Sequence, residues 1–194
     1  MNRRTVIKNL ALVIGGAVLL PSCVREDGTS YVKLKHVDID EDQQKLIADV
    51  AETIIPKTDT PGAKDLNLPA FVLKMIDDCF DKKQQRDFLA GLTAFREKVK
   101  KENGKDFGEL DNKKREEILT TIEKDAGAKG GRKPKTKDDS APDPVTVFYW
   151  GVKGQTIFAY TTSQYFMTKQ IVYELVPGRY IVHYPVSKLK LKTA

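Results

Sequence analysis

Two histidines and two cysteines are the whole supply of imidazole and thiol groups in 194 residues. His36 and His183 lie far apart and fit no metal-ligand spacing, so both read as surface or packing residues. No Cys-x-x-Cys-His run exists, which removes covalent haem attachment. Gly-x-Gly-x-x-Gly and P-loop patterns are missing too, and with them the usual nucleotide cradles. Serines are few, and none sits in a Gly-x-Ser-x-Gly elbow. Asp77-Asp78 is a carboxylate pair, but neighbours on a helix point about 100° apart and do not converge. The pair reads as a solvated helix edge. No catalytic, cofactor-binding or metal-binding residue is therefore assigned. The apolar stretch Leu10–Leu20 is also short of the roughly 20 residues that a transmembrane helix requires.

What is present begins at the N-terminus. Arg3, Arg4 and Lys8 precede the uncharged stretch Leu10–Leu20, giving the charged and apolar regions of a signal peptide. Paired arginines, one spacer, two apolar residues and a lysine resemble the twin-arginine export pattern. An ordinary secretory signal with two adjacent arginines is the competing reading. Leu20-Pro21-Ser22-Cys23 resembles a lipobox, so cleavage after residue 22 would leave Cys23 lipidated; the alternative is a plain cysteine near a cleavage site. Each buried lipid CH₂ contributes about 0.8 kcal/mol, and more than one chain is needed for a firm hold. The expected location is the periplasmic side of the cell envelope, lipid-anchored to a membrane.

Removing residues 1–22 also removes Arg3, Arg4 and Lys8, so the formal charge of +6 falls to +3. The remaining basic runs are Lys129–Lys137 and Lys188–Lys192. The first is broken by Gly and Pro and lacks aromatics, which fits a solvated loop and not a nucleic-acid surface. With Cys23 acylated, Cys79 is the only thiol left and no intrachain disulfide can form. It shares a helical face with Val72, Met75 and Ile76 and reads as a small buried hydrophobe.

The chain divides into a signal peptide (1–22), a lipidated tether (23–38) and a helical domain (39–194) with a polar linker at 128–143. The expected fold is mainly α, about five helices followed by an irregular extended C-terminal segment. Asp40 and Gln43 form a capping box ahead of apolar residues at helical spacing. Pro56 ends that helix, and Pro61-Gly62 suits a type II turn with Gly62 at positive φ. Further helices start near Pro69, carry Phe88–Val99 to a stop at Asn103-Gly104, and start after Asp111. The aromatic-rich segment Val145–Met167 reads as a helix bent or interrupted near Gly151 and Gly154. Its aromatics suit either a core or a protein interface.

Four stretches together resemble the gluconate 2-dehydrogenase subunit 3 family. They are Ala51–Ala63 with Ile54-Ile55-Pro56 and Pro61-Gly62-Ala63, then Phe88–Leu92, Tyr160–Ser163, and Tyr173–Tyr180 with Val176-Pro177-Gly178. The resemblance implies a non-catalytic helical subunit paired with a large flavoprotein of the glucose-methanol-choline oxidoreductase type. FAD would belong to that partner, and haem c to a third, cytochrome c subunit. The small subunit would supply the export signal for a large subunit lacking one. The lipobox and the basic insert near Gly130-Gly131 depart from the family pattern. Pro56, Pro61, Gly62, Ser163, Tyr173, Pro177, Gly178 and Tyr180 are the candidate partner contacts. A free-standing envelope lipoprotein that binds carbohydrate or scaffolds an assembly is the alternative. A catalytic subunit with its own active site is the weakest reading.

Overall fold

Asp40 opens the first helix. Its carboxylate accepts the Gln43 amide at 2.8 Å, and Gln43 Oε1 accepts the Asp40 amide at 3.1 Å. This closes the capping box and satisfies donors that a helix start leaves free. The computed structural model describes residues 32–126 and 143–171. Helix α1 spans Glu41–Ile54 and ends ahead of Pro56. Helix α2, Leu68–Cys79, carries Pro69 in its first turn, where a missing N–H costs nothing. Asp81 and Gln84 repeat the capping box before α3, Lys82–Asn103, which ends at Gly104 with φ of 69°. That left-handed cap is where glycine is favoured. A 3-10 turn, Phe107–Glu109, leads to α4, Asn112–Asp125. Helix α5 spans Pro144–Thr162, and a π-helical turn follows at Phe166–Gln170. No strand occurs among the described residues.

Helix α5 is the centre of the bundle. It packs chiefly on α3 and also touches α1, α2 and α4. A column of rings fills that contact: Phe88 and Phe95 lie 5.2 and 5.1 Å from Phe148, and Phe107 lies 5.4 Å from Phe95. All four are buried. The helices approach closely because α3 carries Gly91 at the crossing. A Cβ there would sit 2.8 Å from Phe148 Cβ and closer still to the Pro144 carbonyl.

Several sequence expectations change here. Helix α5 is continuous through Gly151 and Gly154. Gly151 instead lets Phe88 approach, since an added Cβ would lie 3.1 Å from its ring. The aromatic segment is divided along its length: Phe148, Tyr149 and Trp150 are core, while Phe158 is exposed. Cys79 is exposed rather than buried, although Ile76 and Asp77 in the same turn are buried and Phe80 after it packs on the core. Asp143, placed at the end of the linker, is the N-cap of α5 and accepts the Thr146 amide at 2.9 Å.

Asp77 is the largest departure. It is 1% exposed and not a solvated edge. Its carboxylate accepts the backbone amides of Lys35, His36 and Val37 at 2.8, 2.7 and 3.1 Å. Burial pushes this carboxyl up, and the three amides outweigh it, holding it below the ordinary 3.8. Residues 32–38, read as the end of a free tether, are therefore docked. Gln44 grips the same segment: it accepts the Val32 amide and donates to the Val32 and Ile39 carbonyls. Val37 and Ile39 are buried, and Val32 and Leu34 pack on the core. The expectations for Arg3, Arg4, Lys8, Cys23, Tyr173, Pro177, Gly178, Tyr180 and His183 lie outside the described residues.

Candidate partner interface

The loop joining α1 to α2 is held by carboxylates on both sides. Glu52 accepts the amides of Lys57 and Lys64 at 3.1 and 2.7 Å. Asp65 accepts the Gly62 amide at 3.2 Å, and its other oxygen pairs with Lys57 Nζ at 3.2 Å. Buried Asp49 receives Lys64 Nζ at 2.8 Å. The Ala63 amide donates to the Ile55 carbonyl, which folds the loop back on the end of α1. Gly62 does not take the positive φ expected of a type II turn; Asn67 is the one non-glycine residue that does, among those described. Gly62 is required for space instead: a Cβ would lie 2.7 Å from the Lys57 amide nitrogen and 2.5 Å from Glu52 Oε1. The loop is thus a fixed platform with Pro56 exposed and Pro61 half-buried.

Small residues bring this platform to the C-terminal end of α5. Ala51, Ala63, Leu68 and Ala159 form a buried cluster flanked by Ile55, Leu66 and Tyr160. Ser163 ends α5, donating its hydroxyl to the Tyr160 carbonyl at 2.7 Å and accepting the Phe166 amide at 3.1 Å. Of the candidate contacts, the structure therefore gathers Pro56, Pro61, Gly62 and Ser163 at one end of the bundle. Gly62 is buried and shapes the loop rather than offering a surface.

The sequence reading offered the aromatic segment, Phe158 included, as core or interface without separating its members, and it missed Ile157 and Phe71 beside this end. Phe158 is 51% exposed, Ile157 43% and Phe71 36%. Phe71 and Phe158 pair at 5.9 Å between ring centres. Ile157 also lines an open groove of about 370 Å³ with Ile54, Ile55, Leu119 and Tyr149. Phe158 and Ile157 point about 100° apart, so they form two apolar patches, one toward α2 and one toward α1 and α4, and exposed apolar patches are typical of protein-binding surfaces.

The groove floor holds a charge cluster. Tyr149 and Lys153 both donate to Glu123 Oε1, tying α5 to α4. Lys153 also lies 5.0 Å above the Trp150 ring. Burial pushes the Glu123 carboxyl up, but Lys153 and Tyr149 hold it below the ordinary 4.5. Burial and the neighbouring Glu123 carboxylate push the Tyr149 hydroxyl well up, so it stays a donor. Glu123 is satisfied by these two donors, which makes the cluster a brace. Lys153→Met is expected to lower stability by about 1–2 kcal/mol, read as a fall in the urea midpoint.

Among the described residues, no group of three or more His, Cys, Asp or Glu could hold a metal ion. No described helix is long and apolar enough to cross a membrane. No curated protein and no solved structure matches the chain. A family model described as gluconate 2-dehydrogenase subunit 3 matches residues 41–178, spanning all five helices and the loop between α1 and α2. The chain belongs to the gluconate 2-dehydrogenase subunit 3 family.

Proposed function

We propose that this chain is the non-catalytic accessory subunit of a membrane-associated, flavin-dependent gluconate or sugar dehydrogenase. Its jobs are export escort, anchor and structural partner of a large flavoprotein subunit of the glucose-methanol-choline type. The observation that carries this reading is the family match combined with an exposed apolar face beside a rigid loop platform. Membership of a family named as a dehydrogenase subunit supports another subunit of such a complex as the occupant of that face, and we assign it to the large subunit. FAD belongs to that partner, and haem c to a cytochrome c subunit that receives the electrons. Arg3, Arg4 and Lys8 address the folded pair to the export machinery, and lipidated Cys23 holds it on the periplasmic side.

The test is co-purification from native membranes at native expression. Wild type is expected to bring down a flavoprotein, and recovery without one sinks the reading. An Ile157→Ser, Phe158→Ser pair removes two side chains that are about half exposed, one of them paired with Phe71, so stability should fall by about 1–2 kcal/mol with the fold retained, checked by the melting curve. Flavoprotein recovery should nevertheless fall at least tenfold, about 1.4 kcal/mol of binding. If the pair leaves recovery unchanged, the large subunit docks elsewhere.

A further inference from the structure

We propose that Asp77 and Gln44 form a clamp that sets how far the folded domain stands from its membrane anchor. This rests on the reading of Cys23 as the lipidated residue. Between Cys23 and the first docked residue, Val32, lie residues 24–31, eight in number. At full extension they reach about 30 Å. If residues 32–40 were free, the span would be 24–40, seventeen residues, reaching about 60 Å. The clamp therefore halves the reach of the anchored domain.

The contacts are those of a fastening rather than of a passing strand. Asp77 takes three consecutive amides, from Lys35, His36 and Val37, on one buried carboxylate. Gln44 holds Val32 through both its amide and its carbonyl, as a neighbouring strand would. The two clamp residues lie on different helices, α1 and α2, so the segment is fixed across their junction. Lys74 Nζ, donating to the Lys33 carbonyl at 3.5 Å, adds a weaker contact. The other charged groups on the segment, Lys33, Lys35, His36 and Asp38, are exposed; Asp77 takes its hydrogen bonds from backbone alone, and the charge of His36 adds a smaller attraction. A shorter leash lowers the greatest height that the folded domain, and any partner docked on it, can reach above the bilayer.

The experiment uses the full acylated chain in phosphatidylethanolamine–phosphatidylglycerol vesicles carrying an acceptor dye in the lipid. Cys79, exposed and the one thiol left after acylation of Cys23, takes the donor dye. Energy transfer should be high in wild type and at least halved in the Asp77→Asn, Gln44→Ala double variant. A second variant inserts eight Gly/Ser residues after Gly28, leaving the clamp intact. Its transfer should fall similarly while its melting temperature stays at the wild-type value. Unchanged transfer in a folded double variant, or in the insertion variant, overturns the clamp as the determinant of reach. Failure of wild type to bind vesicles sinks the anchor reading and the leash with it.

Discussion

Asp77→Ala is expected to lower the unfolding free energy by about 4 kcal/mol, since each orphaned buried donor costs about 1–3 kcal/mol and three lose their acceptor. The value sits in the lower part of the summed range because only the Val37 amide bond is fully buried and the segment can lift and let water take the amides. Lifting in turn exposes Val37 and Ile39, which are buried only while the segment is docked. The measurement is the urea midpoint at neutral pH for wild type, Asp77→Ala and Asp77→Asn. Asn keeps one acceptor oxygen, loses the charge and turns an NH₂ group toward amide donors, so it should fall between the two. The pH dependence has a fixed sign. The folded carboxyl titrates below its ordinary 3.8, so its contribution is complete above that value and is lost as pH falls through the folded value. The gap between wild type and Asp77→Ala should therefore be constant near neutrality and close in strong acid. A gap that widens on acidification contradicts the assignment.

Gly91→Val should lower stability by about 3 kcal/mol, seen as a drop of roughly 10 °C in melting temperature. Helix propensity alone predicts the opposite sign for Gly91→Ala, a gain of about 1 kcal/mol in a helix interior. The crossing with α5 decides the outcome. The new side chain would meet the Pro144 carbonyl and Phe148 Cβ, and a backbone carbonyl at the first turn of α5 cannot swing aside. Room comes only from separating the two helices that share the Phe88, Phe95 and Phe148 contacts. Gly104→Ala is the control on the same helix: nothing lies within 4 Å of its added Cβ, so its cost is confined to the positive φ. Stabilisation by Gly91→Ala would refute the close approach.

The helix starts at Asp40 with Gln43 and after Asp111 were legible because their signals are local, a side chain three residues from its target; Asp81 with Gln84 carries the same local signal and went unread. The role of Asp77 was hidden because its partners are backbone amides some forty residues away, and an amide leaves no trace in residue identity. Glu123 and Lys153 are thirty residues apart and belong to different helices. Cys79 shares its helical face with buried Val72 and Ile76 and is itself exposed, which the face alone does not show. Gly62 and Gly91 were visible as glycines, yet whether a glycine answers a dihedral or a crowded neighbour depends on the other chain segment. Helix α5 is apolar on nearly all sides, so the pattern alone could not separate core rings from the exposed Phe158.

Because Asp77 hydrogen-bonds only main-chain N–H groups, the side chains at positions 35 and 36 add nothing to its hydrogen bonds, and His36 contributes only its charge. Both are exposed, so these sites are free to drift through almost the whole amino-acid alphabet without loosening the segment. Proline is the one letter excluded at either position, since it brings no N–H to the carboxylate. Sequence divergence along 35–36 is therefore a poor guide to whether the first helix is still tied to its leader, and a single proline there is a sharp one.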